Sequence, residues 1–113
     1  MATWDDVIAL CEAELPEVER STSYNTPALK VRKKLFARLK EDGDQIAVFV
    51  DFMEREALVQ GSPDVYVVTD HYRDHPMMLV NLDAVPKAEL REVLIESWRR
   101  RAPKRRLAGF DES

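Results

Sequence analysis

Histidines at positions 71 and 75, four residues apart in Asp70-His71-Tyr72-Arg73-Asp74-His75, would share one face of a helix. There they could hold zinc or another divalent metal if a third ligand converged. Their neighbours weigh against that chemistry. Asp74 does not stand where the glutamate of an H-E-x-x-H motif would, and Pro76 leaves almost no room for a helix. The residues favour a polar loop in which His71 and Tyr72 hydrogen-bond nearby backbone. No metal and no other cofactor is expected.

Nucleophiles fare no better. Ser21 and Ser23 have no histidine near them in sequence, so a catalytic triad would have to assemble from distant parts of the chain. Cys11, the single cysteine, falls on the stripe Trp4, Val7, Ile8 and Leu15, which suits a buried structural thiol. The same count excludes an internal disulfide or a cysteine-rich zinc site. Gly43, Gly61 and Gly109 are too dispersed to cradle a phosphate. Glu54-Arg55-Glu56 reads as a solvated helix face with a local ion pair rather than an acid-base pair. A non-enzymatic protein is the expectation.

Binding chemistry is concentrated between Ser21 and Lys40. In a strand from Ala28 to Arg32, Leu29 and Val31 point one way while Lys30 and Arg32 point the other. After Lys33-Lys34 a second alternation places Leu35, Ala37 and Leu39 on one face and Phe36, Arg38 and Lys40 on the other. Paired as a hairpin, these strands present Lys30, Arg32, Lys33, Lys34, Arg38 and Lys40 with Phe36 among them, a pattern that suits phosphates and a stacked base. It equally suits an acidic protein. The net charge of −4 and pI near 5.2 exclude a protein that coats nucleic acid by bulk charge. Acidic residues gather from Asp5 to Glu19, and basic ones at Lys30–Lys40, Arg99–Arg101 and Lys104–Arg106.

The elements that must position these residues are legible in order. Thr3 is placed to cap a first helix with Asp5 and Asp6 in its opening turn, and Pro16 marks its end. Val18 to Ser23 reads as a strand, and Tyr24-Asn25-Thr26-Pro27 as the turn that follows it. Strands near Ala28–Arg32 and Lys34–Lys40 lead through Glu41-Asp42-Gly43-Asp44 to a central strand, Gln45 to Phe52. A short helix over Met53–Gln60, with Leu58 and Met53 or Ala57 inward, stops at Gly61. Val65–Thr69 and Met77–Leu82 read as strands. The last helix opens at Pro86, buries Leu90, Val93, Leu94, Ser97 and Trp98, and ends at Ala102-Pro103.

The segment S-x-x-x-x-T-P-A-L-K-V-R-x-K-L-F-A-R-L from Ser21 to Leu39 resembles the signature of the MmcQ/YjbR family of small bacterial proteins. The likeness continues in Glu54-Arg55 with Leu58, in Pro63, and in Thr69-Asp70-His71-Tyr72 to Pro76. It closes in Met78-Leu79-Val80-Asn81-Leu82 and Glu96-Ser97-Trp98-Arg99 to Ala102-Pro103, so that it spans Trp4 to Pro103. Asn25 and Lys33 stand where such proteins usually have glycine. The resemblance implies a frataxin-like (CyaY-like) fold and DNA binding through paired hairpin wings.

These observations converge on a single α+β domain over residues 1–103. Its antiparallel, twisted sheet carries the helices packed on one face, and a tail over 104–113, basic then acidic, is expected to be flexible. The leading expectation is a nucleic-acid-binding module acting through Lys30, Arg32, Lys33, Lys34, Phe36, Arg38 and Lys40. The alternatives are a protein-interaction adaptor whose basic face meets an acidic protein, and a small-molecule binder using a pocket near His71, Tyr72 and Tyr66. No segment reads as membrane-spanning or as a secretory signal, which points to the cytoplasm. The oligomeric state is left open, and a monomer is compatible with every element.

Overall fold

The first helix, α1 (Trp4–Glu14), begins where the sequence places it because Thr3 closes a capping box with Asp6. The Thr3 hydroxyl accepts from the Asp6 amide, and the Asp6 carboxylate accepts from the Thr3 amide. From there the computed structural model describes residues 2–102, in the order α1, β1 (Val18–Ser23), β2 (Thr26–Val31), β3 (Lys34–Leu39), β4 (Gln45–Phe49), α2 (Phe52–Gly61), β5 (Tyr66–Val67), β6 (Met77–Asn81) and α3 (Lys87–Arg101). A short 3-10 turn over Asp70–Tyr72 sits between β5 and β6. The expected tail, with Lys104, Arg105 and Arg106, lies outside the described residues.

The strands form one six-stranded antiparallel sheet in the order β1-β2-β3-β4-β6-β5. β6 inserts between β4 and β5, so the last two strands extend the meander out of sequence order. Two elements are shorter than expected. β4 stops at Phe49, since Asp51 turns the chain to cap α2 by accepting from the Met53 and Glu54 amides. β5 keeps two residues of the apolar run from Val65.

Side-chain alternation divides the sheet into two faces. Leu29, Val31, Ile46, Val48, Met78 and Val80 join Val7, Cys11, Leu90, Leu94 and Trp98 in the main core, which takes all the buried apolar residues that α1 and α3 contribute. The Trp98 indole N–H donates to the Pro16 carbonyl at 3.1 Å, tying α3 to the end of α1. Ala47, Tyr72 and Leu79 form a separate cluster, joined by Val67 and Met77. This second face has no helix residue in its cluster. It is covered in part by the loop that follows β5. Leu58 packs on the core as expected and is joined by Val59, whereas Met53 is exposed at 81% and Ala57 is exposed as well.

The two hairpin turns flanking β2 are built from residues in the left-handed region. Tyr24 and Asn25 have φ of 51° and 66°, Arg32 and Lys33 of 49° and 69°. Two consecutive positive φ values are what a two-residue turn needs to follow the twist of its strands. The β2–β3 hairpin therefore forms with Arg32-Lys33 a turn that glycine would form with less strain.

Candidate binding face

The basic hairpin is not arranged as strict alternation predicts. Between β2 and β3 the register runs Lys30 opposite Leu35 and then Leu29 opposite Ala37. Phe36 is the extra residue of a β-bulge, and the strand rotates there. Phe36 consequently turns inward with Ala37 and is fully buried in the main core, while Leu35 takes the outer face. This corrects the expectation that Phe36 stands among the cations and could stack on a base. The bulge is fixed from α3. The buried Ser97 hydroxyl donates to the Phe36 carbonyl and accepts from the Phe49 amide at 2.9 Å, satisfying both strands where the β3–β4 ladder ends.

Arg38 stays on the outer face yet is 6% exposed. It lies in a lateral row of paired residues crossing the whole sheet: Ser21, Ala28, Arg38, Ala47, Leu79 and Val67. Its Nε donates to the Ser23 carbonyl at 3.2 Å, its Nη1 approaches the Tyr72 hydroxyl at 3.5 Å, and its Nη2 pairs with Glu41. The Tyr24 ring lies over the guanidinium, 5.0 Å from its carbon to the ring centroid. So Arg38 is a buried, oriented donor rather than a solvated cation. Lys40 sits beside it, 5.4 Å from the Tyr72 ring centroid and 4.0 Å from Glu41.

The remaining predicted residues fall elsewhere. Arg32 pairs with Glu17 at 3.3 Å. Lys33 and Lys34 are exposed at the same hairpin tip, and Lys30 is half-buried on the outer face one residue before the end of β2. The expected cluster is thus divided between a hairpin tip and an Arg38–Lys40 centre at opposite ends of β2 and β3. Arg101 does not extend either group, because its Nε donates to the Leu35 carbonyl at 2.8 Å and its guanidinium stacks on Phe49.

The loop after β5 completes the Arg38 centre. Tyr72 packs on Ala47 and Leu79, while His71 stays exposed with its ring edge-on to Tyr72, centroids 4.7 Å apart. Arg55 holds the loop from α2. One Nη donates to the carbonyls of Tyr72 (3.2 Å), His75 (2.8 Å) and Met77 (3.1 Å), and the other to Arg73 (3.0 Å). Glu54-Arg55-Glu56 is therefore more than a solvated face. Its arginine ties down the histidine-bearing loop, a role no local pattern could reveal. Tyr24, Arg38, Lys40, Glu41, His71 and Tyr72 line an open cavity of about 390 Å³. Tyr66 is absent from it, because it faces the main core and donates to Glu89 at 2.8 Å. Among the described residues no three His, Cys, Asp or Glu side chains converge on one point, and no helix is long and apolar enough to cross a membrane. Burial, reinforced by Glu12 and Glu14, pushes the Cys11 thiol up to about 12.

A family model described as YjbR matches residues 13–100. Uncharacterized proteins of Mycobacterium bovis and Mycobacterium tuberculosis are 30% identical over a 124-residue alignment covering 97% of this chain and 96% of theirs. A crystal structure of a Deinococcus radiodurans protein with the DUF419 domain superposes with a TM-score of 0.75 at 27% identity, over 88% of this chain and 78% of that one.

Proposed function

The chain belongs to the YjbR family, and on that footing we propose that it is a non-catalytic module that binds nucleic acid across the helix-free face of its sheet. The observation that carries this reading is the layout of β2. An exposed aromatic, Tyr24, stands just before one end, and Lys30 near the other end is followed by the exposed pair Lys33-Lys34 just past it. At about 3.3 Å per residue the strand is roughly 20 Å long, a span suited to a few successive phosphates with one base stacked at the end. Tyr24, 84% exposed, takes the stacking role that the sequence pattern gave to Phe36.

Charge limits the affinity. Arg38 is buried and paired with Glu41, and Arg32 is held by Glu17, so the cations left for phosphate are Lys30 on this face, Lys33 and Lys34 at the hairpin tip, and Lys40 beside Glu41. Counterion release from four contacts gives a slope of log K against log salt no steeper than about −4, with weak and largely sequence-independent binding. Fluorescence anisotropy with labelled single-stranded and duplex DNA across a salt series tests the reading. Binding at low salt that weakens with that slope, and falls when Lys30 and Lys34 become glutamate, supports it. Absence of binding at low salt, or binding indifferent to those changes, overturns it.

A further inference from the structure

The Arg38 centre has the make-up of an anion site whose seat is taken by a side chain of the protein itself. A guanidinium that is 6% exposed is expensive to bury unless its donors are met. Two are met by fixed groups, the Ser23 carbonyl and the Tyr72 hydroxyl. The third is met by Glu41, whose side chain is 64% exposed. Glu41 follows β3 in the turn to β4, and its other carboxylate oxygen points to Lys40 at 4.0 Å. One solvated carboxylate thus bridges two cations at the floor of an open cavity. Tyr24 and His71 stand in its lining, and Glu41 is the sole carboxylate there. Glu41 is the solvated partner, so an anion that supplies the same charge to Arg38 can take its place, whereas Arg38 is pre-organised and cannot relax away.

We infer that this cavity binds a small organic anion, whose carboxylate or phosphate group displaces Glu41 from Arg38 and Lys40 and whose flat ring lies against Tyr24 and His71. A cavity of about 390 Å³ falls at the lower end of the range for small-molecule sites. Planar guanidinium geometry matches either anionic group. The nucleic-acid reading shares Tyr24 and Lys40 with this cavity but also needs Lys30, Lys33 and Lys34 outside it, so the two readings fail separately.

Titration of isotope-labelled protein with benzoate, phenyl phosphate and inorganic phosphate, followed by amide and arginine Nε–H resonances, tests it. Benzoate and phenyl phosphate compare the two anionic groups, and inorganic phosphate shows what the ring adds. Shifts confined to Tyr24, Arg38, Lys40, Glu41, His71 and Tyr72 are expected, larger for the ring-bearing probes. Glu41→Gln removes the competing carboxylate and should tighten binding about two- to fivefold. Tyr24→Ala, at an exposed turn, should weaken the ring-bearing probes while leaving inorganic phosphate unchanged, and so tests the site without disturbing the buried Arg38. No shift with any probe at millimolar concentration in either wild type or Glu41→Gln overturns the inference. So does an affinity that Glu41→Gln leaves unchanged, or shifts centred on Lys33 and Lys34.

Discussion

Arg55 donates to the Tyr72 carbonyl at 3.2 Å from helix α2, so a residue outside the cavity fixes the height of the ring that packs on Ala47 and Leu79. The same guanidinium serves three more carbonyls of that loop. An ammonium group cannot reproduce this fork of donors. Arg55→Lys should lower stability by about 2 kcal/mol, since several charge-assisted bonds are lost but water replaces some of them. Hydrogen exchange should quicken at residues 70–76 well before it does in β2 or β3. Uniform exchange across the sheet would show that Arg55 does not act through the loop.

Ser97 is the second long-range support. Without its hydroxyl, the Phe36 carbonyl and the Phe49 amide lose their partner where no water can replace it. Ser97→Ala should cost about 2 to 3 kcal/mol despite removing a single atom, measured by chemical denaturation. A loss no greater than that of an ordinary surface substitution would mean that the bulge is held by packing alone.

Burial also fixes a pH dependence. Cys11, with an ordinary value of 9.0, is raised to about 12 by desolvation and then by Glu12 and Glu14. Tyr66 is raised beyond the usual tyrosine range by burial and by its bond to Glu89. Both groups hold their protons more tightly folded than unfolded. Their contribution is therefore complete below pH 9.0 and declines as the pH rises toward about 12. Denaturation midpoints should fall across that window, and Cys11→Ala should flatten the first part of the fall. The Cys11 thiol should also react with a thiol reagent at mildly alkaline pH only when the chain unfolds.

Most of the fold was legible because its signals are local. Thr3, Pro16, Asn25, Gly43 and Pro86 each mark an element end through the conformation or hydrogen bond that their own residue type allows. The apolar periods of α3 and β6 name the core directly. The candidate site was legible in composition and misread in geometry. Alternation across β3 assumes an unbroken register, and the bulge at Phe36 depends on Ser97 some sixty residues away in the chain, which no window around β3 contains. Arg38 and Tyr72 likewise meet only through the β3–β4–β6 pairing. The cavity expected near His71, Tyr72 and Tyr66 has the first two in its lining and lacks the third, for a reason of strand parity. Tyr66 and Val67 are neighbours, so they point to opposite faces, and Tyr66 takes the core.

The tip of the β2–β3 hairpin sets stability against binding. Lys33 has a φ of 69° and follows Arg32 at 49°, a region that costs a residue with a Cβ roughly 1 kcal/mol and glycine almost nothing. Lys33 is exposed, so its side chain does little to offset that strain. Lys33→Gly should then raise stability by about 0.5 to 1 kcal/mol, the usual gain where glycine suits a left-handed position. The hairpin should keep its register, because the turn type is unchanged. If Lys33 reaches a phosphate, the same substitution should weaken DNA binding at low salt and make the slope of log K against log salt shallower by about 0.9. Lys33→Asn, which tolerates positive φ, separates the two effects: it should recover part of the stability gain while losing the same contact. Greater stability with an unaltered salt slope would remove Lys33 from the nucleic-acid surface and leave Lys30, Lys34 and Lys40 to account for any binding.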